Sequence, residues 1–200
     1  NMLAFLGRNP GTSKELYTID ESIQDFSLER VGKSGAKFDP EKTKWFNQQH
    51  LRLKSNTELA KIMMENSSWN AELNFFESVA ELMKERASFA SELLEDEYFF
   101  KSPESFDEKT FRKKWKENSG ELMKELFKRL KNDEIFSAES IENTFKSFIT
   151  EKEIGMGAAL PCMRLILTGK GMGPSAFAIA SLLGKKEVIK RFNEKNKFFI

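Results

Sequence analysis

Histidine and cysteine occur once each among 200 residues, and that scarcity excludes most side-chain chemistry. His50 alone cannot build a histidine metal site, and with Cys162 the only thiol no zinc cluster can assemble. A Ser-His-Asp arrangement would have to use His50, yet no nucleophile-elbow sequence accompanies it, so a packing or solvent-facing role is the simpler reading. A lone cysteine makes no internal disulfide, which fits a reducing, cytoplasmic setting. Long apolar runs are missing too. The best, Ala176 to Leu183, falls well short of the ~18 residues a membrane span needs and contains Ser181. No basic segment precedes the first apolar residues, so a secretory signal is not expected, and an opening of Asn1-Met2-Leu3 reads as a piece of a longer protein. Binding is expected here, and catalysis is not.

Apolar residues and charge are plentiful. Hydrophobic residues make up 40% of the chain, 19 of them Phe, enough to offset chain entropy by burial. The net charge of +1 conceals a division: residues 1–100 carry 12 basic and 17 acidic side chains, residues 101–200 carry 20 and 14. The basic second half points to an anionic partner, or to nothing more than solvated helix faces.

Helical period dominates. Thr18-Ile19-Asp20-Glu21 and Ser55-Asn56-Thr57-Glu58 are capping boxes, and Ser105-Phe106-Asp107-Glu108 is read as a third. Asp39-Pro40-Glu41 starts a helix in another way, with Asp as cap and Pro in the first turn, where its missing N–H costs nothing. The strongest stripe is Phe75, Val79, Leu82 and Met83, followed later by Leu122, Met123, Leu126, Phe127 and Leu130, and by Ile141, Phe145, Phe148 and Ile149. No run alternates for long and no Asn-Gly hairpin signal occurs. Breaks are expected at Gly32–Ala36, Lys101–Pro103 and Gly169–Pro174. The fold class is therefore all-α: two helical bodies behind a short leading segment.

Three features invite a functional reading. The stretch Thr168 to Ser175 is glycine-rich but fails the phosphate-loop templates, since no Lys follows its last Gly and no strand-helix unit surrounds it. It reads as a turn into a helix ended by Gly184, whose exposed backbone groups can still bind a base or phosphate. The run Phe111-Arg112-Lys113-Lys114-Trp115-Lys116 and the cluster Lys185, Lys186, Lys190, Arg191, Lys195 and Lys197 fit either nucleic-acid backbone contact or a solvated face. Arg86 and Arg164 lie beside strongly apolar helical segments; an arginine such as Arg164 is either paired in the core, which the sequence alone favours, or faces a groove.

The segment Phe26-Ser27-Leu28-Glu29-Arg30-Val31-Gly32-Lys33-Ser34-Gly35-Ala36-Lys37-Phe38-Asp39, with Lys44-Trp45-Phe46-Asn47 after it, closely resembles bacterial glutamyl-tRNA synthetases just past their catalytic half. Asn1 to Gly11 is similar to the family's segment downstream of its signature lysine loop. Pro161 to Gly169, Gly173-Pro174-Ser175 and Leu182 to Glu187 complete three matches in the right order, the likeness being weakest from Leu94 to Phe136. Arg8, Thr43 and His50 stand where the family usually has Trp, Leu and Tyr, and the class I active-site signatures are absent. The resemblance thus implies the anticodon-binding half of glutamate–tRNA ligase, with ATP and magnesium used elsewhere in the enzyme, no cofactor in this part, and a monomer. It divides the chain at 1–40 (end of a stem-contact domain), 41–103 and 104–200 (two helical anticodon-binding bodies).

The resemblance also implies site residues. Arg86 matches the family arginine closing an ELM-x-x-R segment, which inspects the third anticodon base. Glutamate anticodons end in C and glutamine anticodons in G. Cytosine turns O2 and N3 acceptors toward a donor-only arginine, whereas guanine presents N–H donors, a mismatch of about 1–3 kcal/mol. Arg164 matches an arginine that, with the turn Gly173, Pro174, Ser175 and Ala176, receives the first anticodon base. Gly173 stands where a hydroxyl residue can occur, which implies a main-chain contact there. Lys146 matches a basic position near the anticodon-loop backbone, so its contact would be to phosphate. The partner implied is the anticodon stem-loop of tRNA(Glu), with neither DNA nor a membrane. A helical protein-interaction scaffold is the rival reading, distinguished by its indifference to salt.

Overall fold

The computed structural model describes residues 1–8, 11, 13–32, 35 and 37–199, apart from the side chains of 196–199. Part of the expected break at Gly32–Ala36 (Lys33, Ser34 and Ala36) and the Lys197 side chain lie outside the described residues. Among those residues there are ten α-helices and three short 3-10 turns, and extended backbone pairs only at one isolated bridge, Arg8 to Val31.

The leading segment contains α1 (Met2–Leu6) and α2 (Ile19–Gln24) and a 3-10 turn at Leu28–Arg30. Thr18 and Glu21 form the expected capping box on α2. Asn1 is tied to Tyr17 through two hydrogen bonds of 2.6 and 2.8 Å, and exposed His50 lies 3.2 Å from the Asn1 amide nitrogen. Several large apolar side chains here face outward, among them Leu3, Ile19, Ile23 and Leu28.

The first body comprises α3 (Pro40–Leu53), α4 (Asn56–Glu65) and α5 (Leu73–Met83), followed by 3-10 turns at Ala90–Leu94 and Glu97–Phe99. Asp39 caps α3 by accepting from the Glu41 and Lys42 amides at 3.0 and 3.2 Å, and Ser55 with Glu58 boxes α4. The α5 stripe is turned by one residue from the expected one. Phe76, Val79, Ala80 and Met83 are buried, while Phe75 and Leu82 sit half-buried at its margin. Ala80 carries little weight in a hydrophobic pattern, yet it is one of the residues packed with Leu59, Ala60 and Met63 of α4.

The second body contains α6 (Glu108–Lys114), α7 (Ser119–Lys131), α8 (Ala138–Glu151), α9 (Met156–Thr168) and α10 (Ala176–Phe199). The third expected capping box is corrected: Asp107, not Ser105, caps α6, accepting the Thr110 amide at 3.0 Å. The Ser105 carbonyl sits instead against Gly169, where any Cβ would approach it to 2.3 Å, and Gly169 accepts the Asp107 amide at 2.7 Å. Pro161 stands inside α9. A proline there leaves the carbonyl four residues back without its helical donor, and that carbonyl, on Gly157, accepts from Lys114 Nζ at 2.9 Å.

Two apolar cores lie on either side of residues 101–103 in sequence, one around Phe76, Val79 and Leu93, the other around Phe127, Phe145 and Ile166. The chain crosses back between them in α10. Gly184 breaks this helix with φ 77° and ψ 156°, a region reserved for glycine. Before the break Ile179 joins the first core and Phe177 and Ala180 the second; after it Val188 and Phe192 join the second, and Leu183 packs against both.

Candidate nucleic-acid interface

Four separate segments converge on one patch. Arg86 lies beyond the last residues of α5, in a turn where its amide donates to the Met83 carbonyl at 2.8 Å. Its side chain is exposed and has no hydrogen bond or ion pair among the described residues. Arg164 projects from α9, and Gly173 follows in the loop before α10. A Cβ built on Gly173, whose φ is 151°, would stand 3.2 Å from Arg164 Nη1 and 3.5 Å from Tyr98 Oη. Hydrogen there leaves a cradle that a larger residue would fill.

Arg164 is not paired in the core. Its Nη1 is out of solvent contact and has no hydrogen-bond partner. Burial pulls its guanidinium below the ordinary arginine range, and the neighbouring Arg86 charge pushes the same way, while Tyr98 acts against them. An unsatisfied buried donor of this kind is costly. The structure corrects the core-pair reading of the sequence: the arginine paired inside is Arg191, and it therefore serves neither as a nucleic-acid contact nor on a solvated face, the two readings open to its basic cluster.

Arg191 is 1% exposed. Its Nη1 donates to the carbonyls of Tyr98 and Leu167, both at 2.7 Å, and its Nε to Glu187 Oε1 at 2.9 Å. One guanidinium therefore fastens the 3-10 turn of the first body to the end of α9 and to α10. Tyr98 and its neighbours were not found from sequence. Tyr98 Oη donates to Asp96 Oδ2 at 2.8 Å, and Asp96 is also ion-paired with Lys170. Burial first, then the Asp96 carboxylate, drive the Tyr98 phenol far above its ordinary value, so it stays protonated. Among the described residues no carboxylate is ion-paired with Arg164, and the charges acting on it are those of Tyr98 and Arg86.

The remaining predicted residues divide. Pro174 and Ala176 are buried, and Ser175 is exposed with Oγ accepting the Ala178 amide at 3.3 Å, so it caps α10. What this turn offers a ligand is backbone, since first-turn amides have no intrahelical acceptor. Lys146 is not brought into the cluster by any contact; it lies on α8 in an exposed ion pair with Glu142 at 2.7 Å. Among the basic run, Lys114 serves Gly157 and Arg112 pairs with Glu108 at 3.0 Å. Among the described residues no group of three or more His, Cys, Asp or Glu converges as a metal site. The patch is rich in donors and holds cationic charge at Arg86 and Arg164: an arrangement suited to recognising acceptor groups.

A family model described as the anticodon binding domain matches residues 45–195. The chain belongs to the anticodon binding domain family. Its relatives agree. The glutamate–tRNA ligases of Flavobacterium psychrophilum and Phocaeicola vulgatus are 44% and 42% identical over 97% and 96% of this chain. A crystal structure of a glutamate tRNA ligase from Elizabethkingia meningosepticum, in complex with its amino acid, superposes with a TM-score of 0.91 at 37% identity over 100% of this chain. This anticodon-binding domain protein spans 39% of the length of those two ligases and 40% of that crystallised chain. The patch around Arg86, Arg164 and Gly173 lies wholly within the matched segment.

Proposed function

We propose that this chain reads the anticodon of tRNA(Glu) as part of a glutamate–tRNA ligase, an enzyme that activates glutamate with ATP and attaches it to tRNA. The chain carries none of the class I active-site signatures. The proposal therefore assigns ATP, magnesium and catalysis to the rest of the enzyme, in the cytoplasm, and gives this part no cofactor. Residues 1–40 then belong to the stem-contact domain, and 41–103 and 104–200 to the two anticodon-binding bodies, acting as a monomer.

The observation that carries the reading is the buried, partnerless Arg164 Nη1 at the Gly173 cradle, with the unpaired Arg86 acting electrostatically on the same Tyr98. A splayed single-stranded loop presents base edges and phosphates to donors placed in this way. Arg86 faces the third base, Arg164 and the Gly173–Ala176 turn the first, and Lys146 the loop phosphates.

The test is fluorescence anisotropy with labelled anticodon stem-loops ending in C or G. Binding that weakens steeply with salt and favours C, a preference lost in Arg86→Gln, is expected. Binding indifferent to salt would favour a protein-interaction scaffold instead.

A further inference from the structure

The turn that carries Arg86 is gripped on both sides, by side chains of other elements and by its own Lys84. Arg52, near the end of α3, donates Nη2 to the Glu85 carbonyl at 2.9 Å, and its Nε lies 3.0 Å from Glu85 Oε2. Lys84 Nζ donates to the Lys54 carbonyl at 2.5 Å. Beyond Arg86, the Ser88 amide donates to Glu92 Oε2 at 2.6 Å, and the Ser88 carbonyl accepts from Asn47 Nδ2. Residues 84–88 are thus pinned at Lys84, Glu85 and Ser88, and Arg86 lies between the pins.

The contact at Glu85 is the decisive one, because it holds the peptide bonded directly to Arg86. Carbonyls past a helix end have no intrahelical donor. Arg52 supplies one through Nη2, and its Nε lies within ion-pair distance of the Glu85 carboxylate without making a hydrogen bond to it. We infer that Arg52 is a positioning residue for Arg86: it fixes the backbone from which Arg86 reaches, and so sharpens discrimination at the third anticodon base without touching RNA. The inference rests on the reading of Arg86 given above. Arg52 is half-buried and Glu85 is exposed, so as a stability element the pair counts for little. Its effect belongs in specificity.

The experiment compares Arg52→Gln, Arg52→Lys, Arg86→Gln and the Arg52→Gln/Arg86→Gln double variant by anisotropy with the C-ending and G-ending stem-loops, alongside thermal melts. Arg52→Gln is expected to lower the C-over-G preference about fivefold, with the salt dependence and melting temperature nearly unchanged. Arg52→Lys keeps the cation but loses the fork, and recovers part of the preference. In the Arg86→Gln background, Arg52→Gln removes nothing further. Arg52→Gln leaving the preference intact while Arg86→Gln abolishes it would overturn the inference and spare Arg86. An equal loss from Arg52→Gln with and without Arg86 would overturn it too, as the mark of a general disturbance. No effect from Arg86→Gln refutes the Arg86 reading itself, and the Arg52 inference falls with it.

Discussion

Arg191 is buried whole and Arg164 buries its Nη1, and replacing each by methionine should have opposite consequences. Arg191 donates to two carbonyls at 2.7 Å and to Glu187 at 2.9 Å. Arg191→Met leaves both carbonyls and the carboxylate without that partner, and severing a buried pair from one side costs about 3–5 kcal/mol. For a domain of this size each kcal/mol is worth about 2–4 °C, so the melting temperature should drop by roughly 6–20 °C. Arg164 makes no such contacts, and its Nη1 is buried without a partner. Arg164→Met removes an unsatisfied donor and keeps much of the side-chain volume, so stability should stay within about 1 kcal/mol of the parent or rise. Stem-loop affinity should nevertheless fall in Arg164→Met. Thermal or urea unfolding of the two variants, with anisotropy on the same preparations, decides the matter. A loss of stability in Arg164→Met as large as in Arg191→Met would refute the reasoning, because Arg164 would then be a structural residue.

Further outcomes are open to measurement. Gly173→Ala places a methyl group 3.2 Å from Arg164 Nη1 and strains the backbone at φ 151°, and should weaken stem-loop binding about tenfold through displacement of that contact while leaving the helical circular dichroism unchanged. Lys114→Met deprives the Gly157 carbonyl beside Pro161 of its donor; a loss of about 1 kcal/mol in urea unfolding is expected, and no loss would mean that water replaces the ammonium. Lys152 and Arg129 hold the Glu125 carboxyl below its ordinary value, and Arg129 does the same for Glu151. Carboxyls depressed in the folded state stabilise it above their unfolded value of 4.5 and lose that effect as pH falls through the lower folded value. Melting temperature should therefore fall below about pH 4.5, and the fall should be shallower in the Glu125→Gln/Glu151→Gln double variant.

Much of the fold was legible because its signals are local. The caps at Thr18, Asp39 and Ser55 need only the next three residues, and Gly184 announces a break by its own backbone freedom. The α5 stripe was read one residue off because hydrophobicity ranks Leu82 above Ala80, whereas close helix packing favours the small side chain. Asp107 displaced Ser105 as a cap because Ser105 is held against Gly169, a neighbour distant in sequence.

The site was legible only in part, and the reason is physical. Sequence sets Arg164 among apolar residues and Arg191 among lysines, which points the wrong way for both, and what decides Arg191 is contacts spanning 24 and 93 residues. Tyr98 is invisible for a similar reason: apart from Asp96, two residues away, the groups around it come from α9, α10 and the loop between them, and it falls where the family resemblance is weakest. A pattern along the chain reports which groups are satisfied nearby. A binding site is made of groups that the fold brings together and leaves unsatisfied, as at Arg164 Nη1, or holds out unpaired, as at Arg86. Such groups become visible only when every other donor has been followed to its acceptor. By that criterion Arg191 and Lys114 drop out. Arg164 Nη1 shares its unsatisfied state with Arg8 Nε, Arg52 Nε and Ser67 Oγ, and what singles it out is the Gly173 cradle and the neighbouring Arg86, while Arg52 matters for the turn it holds.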